Sequence, residues 1–227
     1  MKEDAVKTSA VIMAHPDDEV LGCGGSVARL AREGAEVHIL IMASGLTSRG
    51  PADKQALAAL KDEARAAAHA LGAASIEFCD FPDNAMDSCT LLDIVKSVEA
   101  YLANIEPDII FTHHSGDINI DHDITQRAVL TAARSLPGTK PLEILACEVL
   151  SSSEFGPAAR PLLPHYYIRL EEEDVTAALT ALECYRGEIR DWPHPRSPEA
   201  LAHQLRLRGA ECGAKAAEVF EVLKVVR

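Results

Sequence analysis

Five short runs rich in β-branched and apolar residues punctuate the first two thirds of the chain: SAVIMA (9–14), EVHILIMAS (36–44), SIEFCDF (75–81), DIIFTHH (108–114) and LEILACEVLS (142–151). Continuous apolar runs of this length suit strands covered on both faces. Between them, apolar residues recur at intervals of three and four, as in Leu57, Leu60, Ala64, Ala67 and Leu71, and again in Leu91, Val95, Val98 and Leu102. That is the spacing of a helix with one buried face. Strand and helix alternate, which predicts an α/β fold with a mainly parallel sheet, helices on both sides and right-handed crossovers. In such sheets ligands sit beyond the carboxyl ends of the strands. Polar clusters at 15–19, 44–49 and 113–123 all begin where a predicted strand stops.

After residue 152 the pattern changes. SSSEFGPAARPLLP reads as a turn-rich loop, HYYIRL as a further strand and EEEDVTAALTALECYRGEI as a helix. The acids Glu171 to Asp174 open that helix, where they favour its positive end and are expected to be solvated. DWPHPRSPE (191–199) is a proline-punctuated connection. A last helix is expected from Pro198 to about Leu223, with a stripe of Leu201, Leu205, Cys212, Ala216, Val219 and Leu223 packing within the chain or between chains. The chain reads as a single domain over 1–227, with a core of about 8–152 followed by a C-terminal loop, strand and helices over 153–227.

Composition narrows the chemistry. The 227 residues carry 22 basic against 35 acidic side chains, a net charge of −13, with no Lys/Arg run that could follow a phosphate backbone. Nucleic acid is therefore excluded as a partner. No apolar run reaches the length of a membrane span, and the N-terminus lacks a signal peptide's hydrophobic region, so a cytoplasmic location is expected. The six cysteines are scattered without a C-x-x-C pair, which disfavours structural zinc and suggests buried thiols acting as small hydrophobes.

VIMAHPDDEVLGCGG (11–25) places His15, Asp17, Asp18 and Glu19 where the first strand hands over to a helix. His15 and Asp18, three apart on a tight turn, can aim a nitrogen and an oxygen at one point, as a zinc site requires. HHSGDINIDHD (113–123), after the fourth strand, offers His113, His114 and His122 as a third ligand. Two histidines and one aspartate with an open position would make a hydrolytic centre. Asp17 is then the candidate base, Asp121 a group orienting a histidine, and Glu19 a residue favouring the helix N-terminus. The plainer reading is helix capping. Nucleotide binding fits less well, because Gly22, Gly24 and Gly25 do not make G-x-G-x-x-G and three carboxylates precede them. Those glycines instead suit close packing of helix on strand.

AHPDDEVLGCGGS and GDINIDHDI, in this order on this layout, resemble the two metal-binding segments of the PIG-L/LmbE-like deacetylases. The resemblance implies a Rossmann-like three-layer sandwich and a zinc enzyme removing an N-acetyl group from an amino sugar or its conjugate. By the same resemblance His15, Asp18 and His122 hold Zn2+ or another divalent metal, and Asp17 is the base. Arg49, in SGLTSRG, and Asp83 or Asn84, in FPDN, would face the sugar. Many members read H-P-D-H in the second segment, where this chain has Asn119 in NIDH. An amide can donate to an oxyanion but cannot deliver a proton. That leaves Asp17, His113, His114 or the more distant His194 as general acid, with Asn119 or His114 stabilising the oxyanion. Loops 44–50, 81–90 and 152–165 are expected to set specificity. An amidase for another acyl group and a catalytically silent metal-binding protein are the alternatives. The expected partner is a small N-acetylated sugar or conjugate, and a homo-oligomer stays open.

Overall fold

A computed structural model describes residues 6–46, 50, 53–157 and 160–226. In chain order these form β1 (Thr8–Met13), α1 (Asp18–Arg32), β2 (Glu36–Ala43), α2 (Lys54–Ala70), β3 (Ser75–Phe81), α3 (Leu91–Ile105), β4 (Ile109–His113), α4 (Ile120–Ala132), β5 (Glu143–Cys147), β6 (Tyr166–Leu170), α5 (Glu172–Cys184), α6 (Pro198–Cys212) and β7 (Ala216–Val225). The strands make one sheet in the order β3-β2-β1-β4-β5-β7-β6. β1 to β5 run parallel, and β7 lies antiparallel between β5 and β6.

Alternate residues of each central strand feed opposite layers, as a two-sided sheet demands. Val11 and Met13 of β1 pack with α1, α2, α5 and α6 residues, whereas Ala10 and Ile12 pack with those of α3 and α4. The result is a Rossmann-like three-layer sandwich. Helices begin where short polar side chains take up free backbone N–H groups: Asp53 caps α2, Thr90 α3, Asn119 α4 and Ser197 α6. α1 meets the sheet closely through its glycines. A Cβ on Gly22 would come 2.7 Å from Cys147 Sγ, and one on Gly25 would collide with Leu170.

β1 pairs with β2 on one side and β4 on the other. Strand order reverses there, and the crevice beyond the carboxyl ends of these two strands is where such sheets bind ligands.

The expected final helix is corrected. α6 stops at Cys212 because Gly213, at φ 71°, takes the left-handed conformation that ends helices. The residues beyond it form β7, whose Phe220 lies 5.1 Å from the ring of Phe111. Ala216, Val219 and Leu223 thus belong to a strand, and Cys212 is only half-buried, while Leu201 and Leu205 are buried within the chain. Of the six free cysteines only Cys23 and Cys147 are buried. The acidic run also divides: Glu171, Glu172 and Glu173 are exposed, but buried Asp174 accepts the Glu171 N–H at 2.8 Å and pairs with Arg32 at 2.9 and 3.0 Å. Among the described residues no helix is long and apolar enough to cross a membrane.

Candidate metal centre

The turn from β1 into α1 carries the first cluster. Asp17 caps α1 at φ 96°, a conformation uncommon for a residue with a Cβ and concentrated at functional sites. The turn sets His15, Asp17 and Asp18 at the mouth of the β1/β4 crevice. The second cluster enters from the loop after β4 and the first turn of α4.

Both clusters meet on one atom. His15 Nδ1 and His122 Nε2 each lie 3.2 Å from Asp18 Oδ2. The opposite nitrogen of each imidazole is held by a buried carboxylate, His15 Nε2 by Asp121 at 3.0 Å and His122 Nδ1 by Asp117 at 2.9 Å. Carboxylate support of this kind fixes ring orientation and raises ligand basicity in metal sites. Asp121 is itself fixed, accepting the backbone N–H groups of Asn84 at 2.6 Å and Met86 at 3.0 Å. Asp83 approaches the same His15 nitrogen at 3.4 Å.

Two observations fit a divalent metal. His15, Asp18 and His122 offer donor atoms within 4.8 Å of one another. His122 Nε2 is buried and has no aligned hydrogen bond, in spite of its distance to Asp18. His113 is not among the three residues whose donor atoms gather: its ring stacks on His122 at 3.8 Å, and its Nε2 accepts the Ala14 N–H at 2.7 Å.

Charge in the cluster follows from burial and pairing. Burial opposes an imidazolium at His15, but the Asp121 and Asp18 carboxylates outweigh it and push its pKa up to about 10. Burial likewise opposes the charged form of His122, and Asp18 and Asp117 push it up to about 9. Asp18 stays well below the ordinary carboxylate range, since His122 and His15 overcome its burial. Burial and the neighbouring His122 and His15 charges hold His113 far below the usual imidazole range. Protons on His15 and His122 are those a metal would displace. Asp17 goes the other way: burial, with Asp18, Glu188 and Glu19 nearby and Arg196 opposing, raises it well above the usual range.

The crevice is a cavity of about 50 Å³ lined by His15, Asp17, Asp18, Asn119, His122 and Arg196, with Asp83 and Asn84 at its side. Asn119 Nδ2 donates to Asn84 Oδ1 at 3.0 Å. Asp83, 5% exposed, faces His15 and Asn84. Arg49 lies outside the described residues. His114 is not brought to the centre. Its Nε2 donates to the Arg160 carbonyl at 2.9 Å, and it lines a different cavity of about 460 Å³ with Glu148, Ser153 and Arg208. This corrects its expected role, because successive residues leaving a strand point to opposite sides. Glu19 is also corrected: it is fully buried, bonded to Tyr185 Oη and to the Asp17 N–H, with burial pushing it up to about 7 against the Tyr185 bond. His194 Nδ1 accepts the Arg196 N–H at 3.0 Å.

Four contributors have no assigned role in the sequence reading. Asp117 sits within GDINIDHD, five residues before the histidine it holds, a spacing that would have found it. Tyr185, Glu188 and Arg196 arrive from the connection between α5 and α6, and no local pattern announces them.

Comparison with known proteins agrees with this layout. The sequence model of PIG-L, GlcNAc-PI de-N-acetylase, matches residues 10–133, more than half of the chain. An uncharacterized deacetylase of Escherichia coli K12, YaiS, is 29% identical over 182 residues, 78% of this chain and 89% of that protein. The 4-oxalmesaconate hydratase of Pseudomonas putida KT2440 is 30% identical over 153 residues, 59% of this chain and 57% of its own length. In fold, the chain resembles the N,N'-diacetylchitobiose deacetylase of Pyrococcus horikoshii, with a TM-score of 0.75 over 96% of this chain and 84% of that one at 19% identity.

Proposed function

The chain belongs to the PIG-L family, and from that premise we propose that it is a metal-dependent hydrolase, with Zn2+ or another divalent ion, that removes an N-acetyl group from an amino sugar or amino-sugar conjugate. The observation that carries the reading is the convergence of His15 Nδ1 and His122 Nε2 on Asp18 Oδ2 with the Asp17 carboxylate on the adjacent residue. The family's description and the deacetylase relative support the choice of an amide over other bonds. Those three side chains would hold the ion, which when bound supplies a Lewis acid that polarises a carbonyl and acidifies water.

The remaining steps belong to the chain. Asp17, raised by burial, takes the proton of the attacking water as a C–O bond forms at the acetamide carbon. Asn119 has one Nδ2 proton committed to Asn84, leaving the other to meet the carbonyl oxygen as it gains charge. Asn119 has no proton to yield at neutral pH, and His114 faces elsewhere. Asp17 therefore returns its proton to the nitrogen as the C–N bond breaks, releasing acetate and a free amine. The polar walls of the crevice suit a sugar better than an apolar acyl chain.

The test is amine release from a panel of N-acetyl amino sugars, with zinc content measured in parallel, for wild type and Asp17→Asn. Turnover that disappears in the mutant while zinc stays near one per chain supports the reading. The hydratase relative favours a second one, addition of water across a double bond by the same centre. No amine from any amide, together with Asp17-dependent hydration of an unsaturated acid, would establish that instead.

A further inference from the structure

We propose that Arg196 is the positioning residue for Asp17, holding its carboxylate from a segment that the family match over 10–133 does not reach. The inference rests on reading Asp17 as the base.

A base must keep one oxygen turned to its water, yet the outer torsion of an aspartate is broad and does not fix the carboxylate by itself. Nothing on α1 supplies the restraint. The Asp17 side chain caps no N–H of the helix, and its Oδ2 is buried without a hydrogen bond. The cation facing that oxygen is Arg196, with Nη1 at 3.4 Å.

Arg196 is placed to act as a fixed point. Its Nη1 donates to Glu188 Oε2 at 2.6 Å and its Nε to Ser151 Oγ at 2.8 Å, while its backbone N–H is held by His194. Glu188 is 5% exposed. A guanidinium locked by two partners has little rotamer freedom left to lose, so its charge holds the carboxylate without an aligned hydrogen bond of its own. The same segment braces the turn from behind, since Tyr185 Oη donates to Glu19, whose other oxygen accepts the Asp17 N–H at 3.1 Å. Backbone and carboxylate of one residue are thus held by Tyr185 and Arg196, both from the chain following α5.

The test compares wild type, Arg196→Met, Arg196→Lys and Glu188→Gln, each purified with its metal and assayed for amine release on an N-acetyl sugar that wild type turns over. Misplacing a catalytic group by about 1 Å costs on the order of 100-fold, so Arg196→Met is expected to lose kcat by roughly 10- to 100-fold. KM and zinc content should stay at the wild-type level. Arg196→Lys, keeping the charge without the fork, should recover part of the loss, and Glu188→Gln should fall between. A crystal structure of Arg196→Met should show the Asp17 carboxylate rotated, with His15, Asp18 and His122 unmoved. A rise in KM with kcat unchanged would make Arg196 a substrate contact and overturn the proposal. So would unchanged kinetics, or losses that track the zinc content or folded fraction equally in all three variants. Failure of the underlying reading shows separately, as wild type without turnover or Asp17→Asn with full turnover, and it removes the inference too.

Discussion

Asp117→Asn tests the proposed metal centre without touching a proposed ligand. In the native site the two Asp117 oxygens have separate duties: Oδ2 accepts His122 Nδ1–H at 2.9 Å and the Ser153 hydroxyl at 3.2 Å, and Oδ1 accepts the Asn119 N–H at 2.8 Å. The side chain is 1% exposed, so water cannot substitute. An asparagine brings one acceptor oxygen where the carboxylate offers two to these three donors. Turned toward His122, it leaves the Asn119 N–H facing an NH2 group; turned the other way, it frees the imidazole. Removal of a carboxylate behind a ligating histidine typically weakens metal binding by about 10- to 100-fold, or about 1.4 to 2.7 kcal/mol. The unpaired donor adds a stability loss of about 1–3 kcal/mol. Competition with a chromophoric zinc chelator reads the first effect, and thermal melting of the chelated protein reads the second. A lower melting temperature with an unchanged zinc Kd would show that Asp117 braces the loop only and that His122 holds no metal.

Two other outcomes follow from the geometry. The metal-free protein should lose stability as pH rises from neutrality: His15 and His122, raised to about 10 and about 9, contribute stability that is complete below their ordinary 6.5 and is lost as pH passes through those higher values. Melting in a chelator from pH 6 to 10 should show a steady fall that saturating zinc abolishes, and a flat or rising profile would refute the paired-imidazolium account. His114→Ala should leave kcat/KM for amine release unchanged, because the ring faces the second cavity and the Arg160 carbonyl; a loss comparable to that of Asp17→Asn would restore it to the chemistry.

Among the parallel strands, β1, β2, β4 and β5 were legible because two-sided burial writes continuous apolar runs, and Val11, Ile39 and Phe111 are indeed fully buried; β3, half-exposed at the sheet edge, was legible from its β-branched and aromatic residues. β7 was misread since Ala216, Val219 and Leu223 satisfy a helical spacing by coincidence. The β-branched run around Phe220 and the stop signal at Gly213 argued the other way, and tertiary pairing with β5 and β6 decided it. His15 and His122, which converge on Asp18, could be read because the ends of β1 and β4 are neighbours in one parallel sheet. Glu19 looked like a helix-end charge, as nothing near it in sequence reveals Tyr185 bonded to its carboxyl. Arg196 was hidden for the same reason, its partners Glu188, Ser151 and Asp17 being joined by the closing of the chain on itself.

The placing of β7 also affects the order in which the molecule can be made. β6 reaches the sheet only through this strand, and β5 has no partner on that side until it arrives. Residues 216–225 follow β1 to β5 in the chain, so during synthesis the segments that carry His15, Asp18 and His122 emerge before them. In that interval Ile144, Leu145, Ala146 and Cys147, all fully buried in the finished protein, stand along a bare backbone edge. Such an edge recruits strands from other nascent chains. The step most exposed to misassembly is therefore the docking of β7, which also fixes α1, since Glu218 accepts the Gly25 and Ser26 N–H groups at 2.8 and 2.7 Å, and so decides how much of the protein survives as single, separate molecules.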